Sequence, residues 1–413
     1  MTSQTDPLGW AREHCPILTS FQTEYSETEP FDGYTVAVAT HLEAKSGVFI
    51  ETLHEAGAEV LFAPSEPQST KAAVLDAFRD IDGITAFARH GMSDREFDRQ
   101  RHALLEREPD LILGDGCGLI AMAHADHPAV ARGVIGGAEQ TTVGVTRVES
   151  MAEEGALEFP VYTVNHTPMK HRFDNIHGTG ESVLTNIAAT TNTMLAGTRV
   201  VIAGYGYCGR GIARKARDLG AKTIVTEVDP RKALEAHTEG HDIMPMTEAA
   251  SRGELFITAT GTRGVIRREH IEMMPDGAVL ANAGHFDVEI QLDDLETLAV
   301  RTSTPTEGVT RYQMGDDRSI DVLADGRLVN LTGPHSRGHP AEVIDTTHAM
   351  MFEAGRELVT GDRELPAGAH PIPDRLDRAV AERKLETMDA TIDESTDRQQ
   401  AYDADWRVES RKD

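Results

Sequence analysis

Residues 199–211 read Arg-Val-Val-Ile-Ala-Gly-Tyr-Gly-Tyr-Cys-Gly-Arg-Gly, an apolar strand followed by a glycine-rich turn. The turn has the spacing Gly-x-Gly-x-x-Gly, formed by Gly204, Gly206 and Gly209. A helix is predicted from Ile212 to Leu219, and the next predicted strand ends at Glu227. A strand, a glycine turn, a helix and an acidic residue about 20 positions later are typical of a dinucleotide-binding unit in a parallel α/β sheet.

Each part of this segment has a physical task in holding a dinucleotide. Gly204 permits the tight turn, Gly206 lets a pyrophosphate approach the backbone, and Gly209 lets the helix pack closely on the strand. The helix N-terminus presents free N–H groups and the positive end of its dipole to the phosphates. A carboxylate at Glu227 accepts hydrogen bonds from the adenosine ribose and disfavours a 2′-phosphate, which predicts NAD rather than NADP. The alternative is a turn that merely needs glycine.

The alternation of strand and helix extends in both directions from this segment. Towards the N-terminus, we predict strands at 34–40, 59–62, 84–88 and 111–113, and helices at 47–56, 74–78 and 94–107. Towards the C-terminus, we predict strands at 223–226, 255–258, 278–281 and 327–331, and helices at 182–195 and 341–359. Strands that alternate with helices favour parallel sheets. The fold class is therefore α/β, with two doubly wound parallel-sheet domains and a short C-terminal tail.

The domain boundaries are predicted where this pattern changes. Residues 1–180 form the first domain, which residues 341–380 complete, and residues 181–340 form the dinucleotide-binding domain. Residues 381–413 are charged and weakly apolar, which predicts an exposed helix and a loose tail.

The composition excludes several classes of protein. The 413 residues include 40 Lys and Arg against 68 Asp and Glu, a net charge of −28, so we expect no nucleic-acid-binding face. There is no apolar run of about 18 residues and no signal-like segment after Met1, so we expect neither membrane insertion nor secretion. The three cysteines are widely spaced, which argues against a disulfide framework or a zinc knuckle. We expect a reduced, cytoplasmic setting.

The basic residues are unevenly divided, because 8 are Lys and 32 are Arg. An acidic, lysine-poor surface suits a salt-rich cytosol, where counterions screen the repulsion between like charges. We therefore predict a halophilic protein whose folded state is less stable in dilute buffer.

Further strings, in order between residues 8 and 402, carry a resemblance to a known family. They are Thr40-His-Leu-Glu-Ala-Lys-Ser46, Glu139-Gln-Thr-Thr142, Lys170-His-Arg-Phe-Asp-Asn175, Asn282-Ala-Gly-His-Phe-Asp-Val-Glu289, Arg327-Leu-Val-Asn-Leu331 and Gly338-His-Pro340. With them the sequence resembles the S-adenosylhomocysteine hydrolase (adenosylhomocysteinase) family, in which Gly-His-Phe-Asp-Val-Glu and Leu-Val-Asn-Leu are specific motifs.

The resemblance implies hydrolysis of S-adenosyl-L-homocysteine to adenosine and L-homocysteine, a step of the methyl cycle in one-carbon metabolism. In that family, oxidation of the ribose 3′-hydroxyl acidifies the C4′ proton and allows the thiol to be eliminated. Water then adds and the ketone is reduced again, so bound NAD is regenerated in every turnover. Closure between two domains keeps water away from the ketone. Family members are usually tetramers, which implies a homo-oligomer.

The resemblance also implies roles for residues that chemistry alone leaves open. Lys170, supported by Asp174 and Asn175, takes the 3′-hydroxyl proton, where the structural alternative is an i,i+4 surface ion pair. Asp115 removes the C4′ proton, and His41 serves the leaving thiolate and the incoming water. Their structural alternatives are a turn-forming Asp and a strand-end His.

The remaining candidate residues are assigned to substrate or cofactor by the same resemblance. Substrate-binding residues are Glu43, Gln140, Lys170, Asp174 and His339. Residues expected around the nicotinamide are Thr141, Thr142, Val143, Ala283, Gly284, His285 and Asn330, with His285 also over C3′. Residues expected along the rest of NAD are Gly204, Gly206, Tyr207, Cys208, Gly209, Arg210, Gly211, Glu227 and Lys232.

The sequence departs from the family pattern at several places. Gln140 stands where a second Glu is usual, and Asp115 lacks two flanking acids. Glu66 begins a changed Asn-Pro-Leu-Ser-Thr-Gln-Asp motif, and the loop 332–338 is longer than usual, which leaves the preferred base open. The C-terminus differs too. In the family it reaches into the NAD site of the neighbouring subunit, and here either Lys412 takes that role or the contact is missing.

Three rival functions follow from these departures. The first is a hydrolase that prefers S-inosyl-L-homocysteine, a preference found among the archaeal forms that Glu43 and Lys45 resemble. The second is a catalytically weakened paralogue that binds NAD and a nucleoside. The third, a 2-hydroxyacid dehydrogenase, lacks support because no substrate-clamping Arg is evident. No metal is predicted, since His166, His171 and His177, or His335 and His339, do not have the spacing of a ligand set.

Overall fold

The computed structural model describes residues 6–361 and 365–406. Lys412, and with it the end of the predicted tail, lies outside the described residues. Among the described helices, none combines the length and the apolar composition that a bilayer crossing requires.

The first sheet contains seven strands that all run parallel. They are β1 Thr35–Thr40, β2 Glu59–Pro64, β3 Ile84–Ala86, β4 Leu111–Gly114, β5 Gly136–Glu139, β6 Pro160–Thr163 and, from the far end of the chain, β15 Gly368–His370. Their order across the sheet is β15-β6-β5-β4-β1-β2-β3. The chain therefore winds outward in opposite directions from β1 and β4, and such a switch point is where open α/β sheets bind ligands.

The helices that accompany this sheet cover both of its faces. They are α1 Gly9–His14, α2 Pro16–Tyr25, α3 Ala44–Glu55, α4 Ala72–Phe78, α5 Asp94–Leu105, α6 Gly118–Asp126, α7 Pro128–Ala131 and α8 Thr142–Glu153. A 3-10 turn, Val164–His166, and a π-helix, Lys170–Gly178, then lead into α9 Thr179–Thr191. The helix α9 ends at Asn192, whose left-handed backbone (φ 50°) stops it before the predicted Leu195.

The second sheet contains eight strands. They are β7 Arg199–Ala203, β8 Lys222–Thr226, β9 Asp242–Ile243, β10 Leu255–Thr258, β11 Ala278–Asn282, β12 Ala299–Thr306, β13 Val309–Met314 and β14 Ser319–Leu323. Their order is β12-β13-β14-β11-β10-β7-β8-β9. The six strands from β14 to β9 are parallel and have the Rossmann order, while β12 and β13 add an antiparallel edge.

The remaining helices follow β7, the first strand of this sheet, along the chain. They are α10 Tyr207–Asp218, α11 Pro230–Thr238, α12 Met246–Ala249, α13 Arg268–Ile271, α14 Leu292–Leu298, α15 Val329–Thr332, α16 Ala341–Thr360, α17 Asp374–Thr387 and α18 Asp397–Ala404, with a 3-10 turn at Ala324–Gly326. The prediction of a strand at 327–331 is wrong. The backbone turns at Gly326 (φ +74°), only Leu328 makes a bridge to Asn282, and the helix α15 begins at once.

The long helix α16 returns the chain to the first sheet. Its Phe352 packs edge-on against Phe31 with ring centroids 5.3 Å apart, inside the core that also holds Val36 and Val38 of β1. Ile17 and Leu18, at the start of α2, donate their N–H groups to the buried Asp345 of α16 at 3.1 and 3.0 Å. The end of the chain therefore completes the core of the first sheet, while the residue limits of the two domains stay a prediction.

Candidate active site

Two predicted residues meet at the switch point of the first sheet. His41 follows β1 and Asp115 follows β4, and both are buried. Because β1 and β4 are neighbours, their carboxyl ends deliver the two side chains to one place, with His41 Nε2 3.7 Å from Asp115 Oδ2. The switch point thus pairs an imidazole with a carboxylate.

The second sheet brings His285 to the same point. His285 follows β11, and its Nδ1 lies 3.7 Å from Asp115 Oδ1. The approach depends on Gly116 (φ +97°), where a Cβ would lie 2.3 Å from His285 Nε2. Asn282 fixes the loop, because its amide group donates to the carbonyls of Gly284, Phe286 and Gly326 and its oxygen accepts from Gly284 N. A carboxylate with an imidazole on each side therefore lies between the two sheets.

Burial sets the charge of the two imidazoles. It lowers the pKa of His285 to about 4, against the opposing effect of Asp115, and it lowers the pKa of His41 in the same way. Both rings are therefore neutral at pH 7. Within the described residues, His41 Nδ1 and Asp115 Oδ1 are buried without a hydrogen-bond partner, which leaves them free for a ligand.

The same three side chains have the chemistry of a metal site. Ligand atoms of His41, Asp115 and His285 all lie within 4.8 Å of one another. The histidines weighed from the sequence, His166 and His171, have ring centroids 6.2 Å apart and form no such group in the described chain. The prediction that no metal is used stays a prediction.

Gln140 contacts Asp115 and not Lys170. Its amide nitrogen donates to Asp115 Oδ2 at 2.8 Å, and its own Oε1 is buried without a hydrogen-bond partner. The preceding Glu139 is fully buried and accepts hydrogen bonds from the backbone nitrogens of Gly116, Cys117 and Thr141 at 2.8–2.9 Å. Burial, helped by the charge of Asp115, raises the pKa of Glu139 to about 7.

A second buried cluster stands on the π-helix. The ammonium group of Lys170 forms an ion pair with Asp174, whose other oxygen accepts a 2.7 Å hydrogen bond from Thr347. His339 Nδ1 lies 3.2 Å from Asp174 Oδ1. Burial alone would raise the pKa of Asp174, but Lys170 and His339 outweigh it and hold that pKa well below its usual range. This cluster is therefore a carboxylate held between two basic side chains, not a surface ion pair.

The π-helix also positions two further predicted residues. Asn175 is buried and donates to Asn165 Oδ1 at 3.1 Å. Cys208, at the start of α10, accepts a hydrogen bond from Thr179 at 3.6 Å, which links the glycine turn to α9. π-Helical turns are rare and occur frequently at functional sites.

The glycine turn has the geometry that a pyrophosphate needs. Gly204 has φ +95° and a Cβ on Gly209 would lie 2.0 Å from Gly204 O, whereas a Cβ on Gly206 would meet nothing within 4 Å. The backbone at Gly206 is therefore open at the start of α10. Glu227 follows β8 and accepts from Tyr205 N at 2.7 Å, so its carboxylate lies beside the turn. These residues fit NAD.

The nicotinamide end of the predicted site lies between the sheets. Asn330 is buried, donates to Ser182 Oγ at 3.0 Å and keeps an unpartnered Oδ1, which suits the donor of a carboxamide. Thr141 caps α8 by accepting from Gly144 N at 3.0 Å, and Thr142 begins that helix. A Cβ on Gly261, after β10, would lie 3.1 Å from Val143 Cγ2, so α8 faces the second sheet.

Other predicted cofactor residues have different surroundings. Tyr207 stacks on His171 with ring centroids 4.0 Å apart, and Arg210 is paired with Glu235 at 2.5 Å. Ala283 extends the edge of β11, donating to Thr258 O at 2.8 Å. Lys232 is exposed on α11.

The loop 332–338, which is longer than is usual in the family, lies against charged residues at the start of α3. Glu43 and Lys45 are buried and form an ion pair of 2.6 Å, and Lys45 also donates to Arg337 O at 2.6 Å. A Cβ on Gly338 would lie 2.6 Å from Glu43 Oε1. The pair therefore lies directly against the loop that precedes His339.

Sequence reasoning missed Glu139, Ser182 and Arg327 as residues of this region. Glu139 could have been found from its place at the end of a strand next to Gln140. Arg327 lies in one of the family strings but its ion pair with Glu66 forms only when the two sheets come together, and Ser182 carries no signal of its own because its contact with Asn330 depends on how α9 and α15 pack.

Comparisons with known proteins show which family this sequence is similar to. Residues 6–130 match the sequence model of the family described as S-adenosyl-L-homocysteine hydrolase, and residues 175–336 match its NAD binding domain. An adenosylhomocysteinase of Haloquadratum walsbyi is 47% identical over 399 residues, covering 97% of this chain and 92% of the relative. One from Halobacterium salinarum is 47% identical over 400 residues, with 97% and 94% covered. An S-inosyl-L-homocysteine hydrolase of Methanopyrus kandleri is 44% identical over 402 residues, with 97% and 94% covered. This chain therefore belongs to the S-adenosyl-L-homocysteine hydrolase family.

Proposed function

We propose that this chain hydrolyses S-adenosyl-L-homocysteine to adenosine and L-homocysteine with bound NAD. The observation that carries the proposal is the meeting of Asp115 with His41 and His285, because these come from two different sheets and lie 3.7 Å from the same carboxylate. A nucleoside placed between the sheets would have its ribose against this carboxylate and against the Lys170–Asp174 pair. NAD would supply the two-electron oxidation of the 3′-hydroxyl and its reversal.

Lys170 and Asp174 act at the 3′-hydroxyl. Lys170 Nζ takes the proton that the 3′-hydroxyl loses when its carbon is oxidised. Asp174 remains ionised and holds Nζ in place, since its pKa is depressed by Lys170 and His339 against the effect of burial. His339 joins the returning chain to Asp174 on the π-helix, and Asn175 ties the π-helix to Asn165 of the preceding 3-10 turn.

Asp115 and His41 act on the other side of the ribose. Asp115 removes the C4′ proton, which passes to His41 at 3.7 Å and from there to the departing sulfur, so the proton lost by carbon is gained by the thiol. Water then gives a proton back by the same path and its oxygen bonds to C5′. The neutral His285 stands over C3′ and helps to exclude water from the ketone.

Thiol release from S-adenosyl-L-homocysteine at high salt tests this function. We expect homocysteine to form with no net NADH, and adenosine alone to reduce enzyme-bound NAD, seen at 340 nm. Asp115→Asn should keep the reduction and lose at least a hundredfold in thiol release, because only the proton transfer at C4′ is removed. Bound NAD without thiol from either the adenosyl or the inosyl substrate would instead identify a weakened paralogue, and net NADH would identify a dehydrogenase.

The buried Glu43–Lys45 pair favours one alternative substrate, S-inosyl-L-homocysteine. Hypoxanthine presents an N1–H donor and an O6 acceptor, which a carboxylate and an ammonium can satisfy together. The pair lies against the loop before His339, where the resemblance places the base. The ratio of kcat/KM for the two thioethers decides between them, and Lys45→Met should lower the inosyl rate more than the adenosyl rate.

We further propose a salt-adapted, cytoplasmic homo-oligomer that works in the methyl cycle. The net charge of −28 and the two halophilic relatives support the salt adaptation. Tyr402 and Trp406, at the end of the described chain, are 70% and 89% exposed, which supports contact with another subunit. Light scattering in 2 M KCl would give the number of subunits.

A further inference from the structure

A small cavity of about 100 Å³ opens next to His285, between the two sheets. Two of its wall residues, Glu66 and Phe97, come from the part of the chain around the first sheet, here called the first unit. The part around the second sheet, the second unit, contributes His285, Phe286, Asp287 and Arg327. Pockets for whole drug-sized ligands measure about 300–1,000 Å³, so this cavity suits a side arm of a substrate and not a nucleoside.

Charges of both signs meet in this cavity. The guanidinium of Arg327 forms an ion pair with Glu66, which is buried, and its Nη2 lies 3.6 Å from Asp94 Oδ1 and 3.7 Å from Asp287 Oδ2. One cation thus faces three carboxylates. Burial raises the pKa of Glu66 although Arg327 acts to lower it, so a further cation beside Glu66 would favour its ionised form.

We propose that this cavity binds the α-amino-carboxylate end of the homocysteine moiety. The proposal rests on the function proposed above and names the part of the substrate that this function leaves unplaced. Arg327 takes the α-carboxylate, because a guanidinium fork matches a carboxylate with two parallel hydrogen bonds. Glu66 and Asp287 take the α-ammonium group.

The position of the cavity fits the length of homocysteine. His285 borders the cavity and also lies 3.7 Å from Asp115, so the reacting carbons and the cavity share one wall. Two methylene groups separate the sulfur of homocysteine from its α-carbon. The rings of Phe97 and Phe286 provide an apolar lining for those methylenes. Recognition of the zwitterion would let the remote end of the substrate contribute binding energy to the reaction at C4′ and C5′.

The competing explanation is that Arg327 only fastens the two units together. Glu66 belongs to the first unit and Arg327 to the second, so the ion pair does cross between them. A fastening role would change the reaction of every thiol equally. Recognition of a zwitterion would change only the reaction of thiols that carry an amino acid.

The synthetic direction separates the two explanations. Holoenzyme is given adenosine with either L-homocysteine or the neutral thiol 3-mercapto-1-propanol. The quantity measured is the kcat/KM for L-homocysteine divided by the kcat/KM for the neutral thiol. We expect Arg327→Gln to lower this ratio at least 20-fold, mainly through a higher KM for L-homocysteine. Arg311→Gln is the matched control, since Arg311 has a comparable pair with Asp321 at 2.7 Å and neither residue lines the cavity, and it should leave the ratio unchanged.

The outcomes distinguish this inference from the proposed function. If the wild-type protein neither reduces NAD with adenosine nor forms a thioether, the proposed function fails and this inference fails with it. If the wild type does both and Arg327→Gln keeps the wild-type ratio, only this inference is overturned. If Arg327→Gln does not fold, Arg327→Lys keeps the charge without the fork, and a ratio lowered about fivefold is then expected, while an unchanged ratio would overturn the inference.

Discussion

Gln140 places an amide where its nitrogen donates to Asp115 at 2.8 Å. In Gln140→Glu, two carboxylates would share this contact beside the buried Glu139, and such a pair holds one proton in common. We expect the acid limb of the pH–rate profile for thiol release to move up by at least about one pH unit. The groups that face this carboxylate, His41, His285 and His348, are neutral near pH 7, because burial lowers the pKa of each.

Gln140→Met is the matched control for that variant. It has a similar length but neither donates nor ionises, so it should lower the rate without moving the acid limb. A Gln140→Glu profile that overlays the wild type would show that the contact between Gln140 and Asp115 does not set the acid limb.

At the level of single residues, the sequence predicts positions better than partners. The family resemblance singled out His41 and Asp115, and their meeting has a simple reason, because each follows a buried strand and the carboxyl ends of neighbouring parallel strands meet. The sequence marks Gln140 as a departure from the family but does not indicate that its amide donates to Asp115. Which side chain an amide reaches depends on rotamers and packing, which no spacing in the sequence encodes.

At the level of elements, Glu139 ties the end of β4 to the start of α8. It accepts from Gly116 and Cys117 on one side and from Thr141 on the other. Its pKa is raised by burial to about 7, against about 4.3 in an unfolded chain. Between these values the folded state binds more protons, so its contribution to the free energy of unfolding is complete below about pH 4 and is lost as the pH rises to about 7.

Glu139→Gln removes this titration. We expect the wild-type minus variant difference in unfolding free energy to fall between pH 5 and 7 by up to about 1.4 kcal/mol per pH unit, and to be constant above pH 8. A pH-independent loss of about 1–3 kcal/mol comes in addition, because the new amide group turns one donor towards the N–H groups. Urea titrations at fixed salt measure the pH-dependent and the pH-independent effects. Glu106→Gln is the control, because Glu106 is exposed and its difference should not vary with pH. The same flat result for Glu139→Gln would contradict the raised pKa of Glu139.

Substitutions at two glycines, Gly211 in α10 and Gly206 in the turn before it, should affect packing and cofactor binding separately. A Cβ on Gly211 would lie 1.9 Å from Ile176 O of the π-helix, whereas one on Gly206, whose φ is −71°, would meet nothing within 4 Å. We expect Gly211→Ala to cost about 1–3 kcal/mol of stability. Gly206→Ala should stay within about 0.5 kcal/mol of the wild type and lose at least tenfold in NAD affinity. Urea unfolding and NAD titration of the stripped protein measure the two effects, and equal behaviour of the variants would refute this division.

The elements show why the pattern of apolar residues predicts some segments and not others. The strand and helix around Gly204 were predictable, since local rules for strand, turn and helix agree there. The π-helix at Lys170–Gly178 was not, because its extra residue per turn is fixed by Gly211 and α9 packing against it. The segment 327–331 has strand-like residues, but β14 already occupies the place beside β11.

At the level of the whole molecule, the net charge of −28 sets a dependence on salt. Charges of one sign repel across the surface, and the Debye length shortens from about 10 Å at 0.1 M to about 3 Å at 1 M salt. For a chain of 413 residues, 1 kcal/mol corresponds to about 1 °C, so relief of several kcal/mol of repulsion corresponds to a rise of about 5 °C. We therefore expect the melting temperature to rise by about 5 °C between 0.1 and 2 M KCl. Sucrose is the control. It stabilises folded proteins because it is excluded from their surface, whatever their charge, so its effect on the melting temperature should add to that of KCl. A melting temperature that is the same at both salt concentrations would show that the acidic surface has no part in stability.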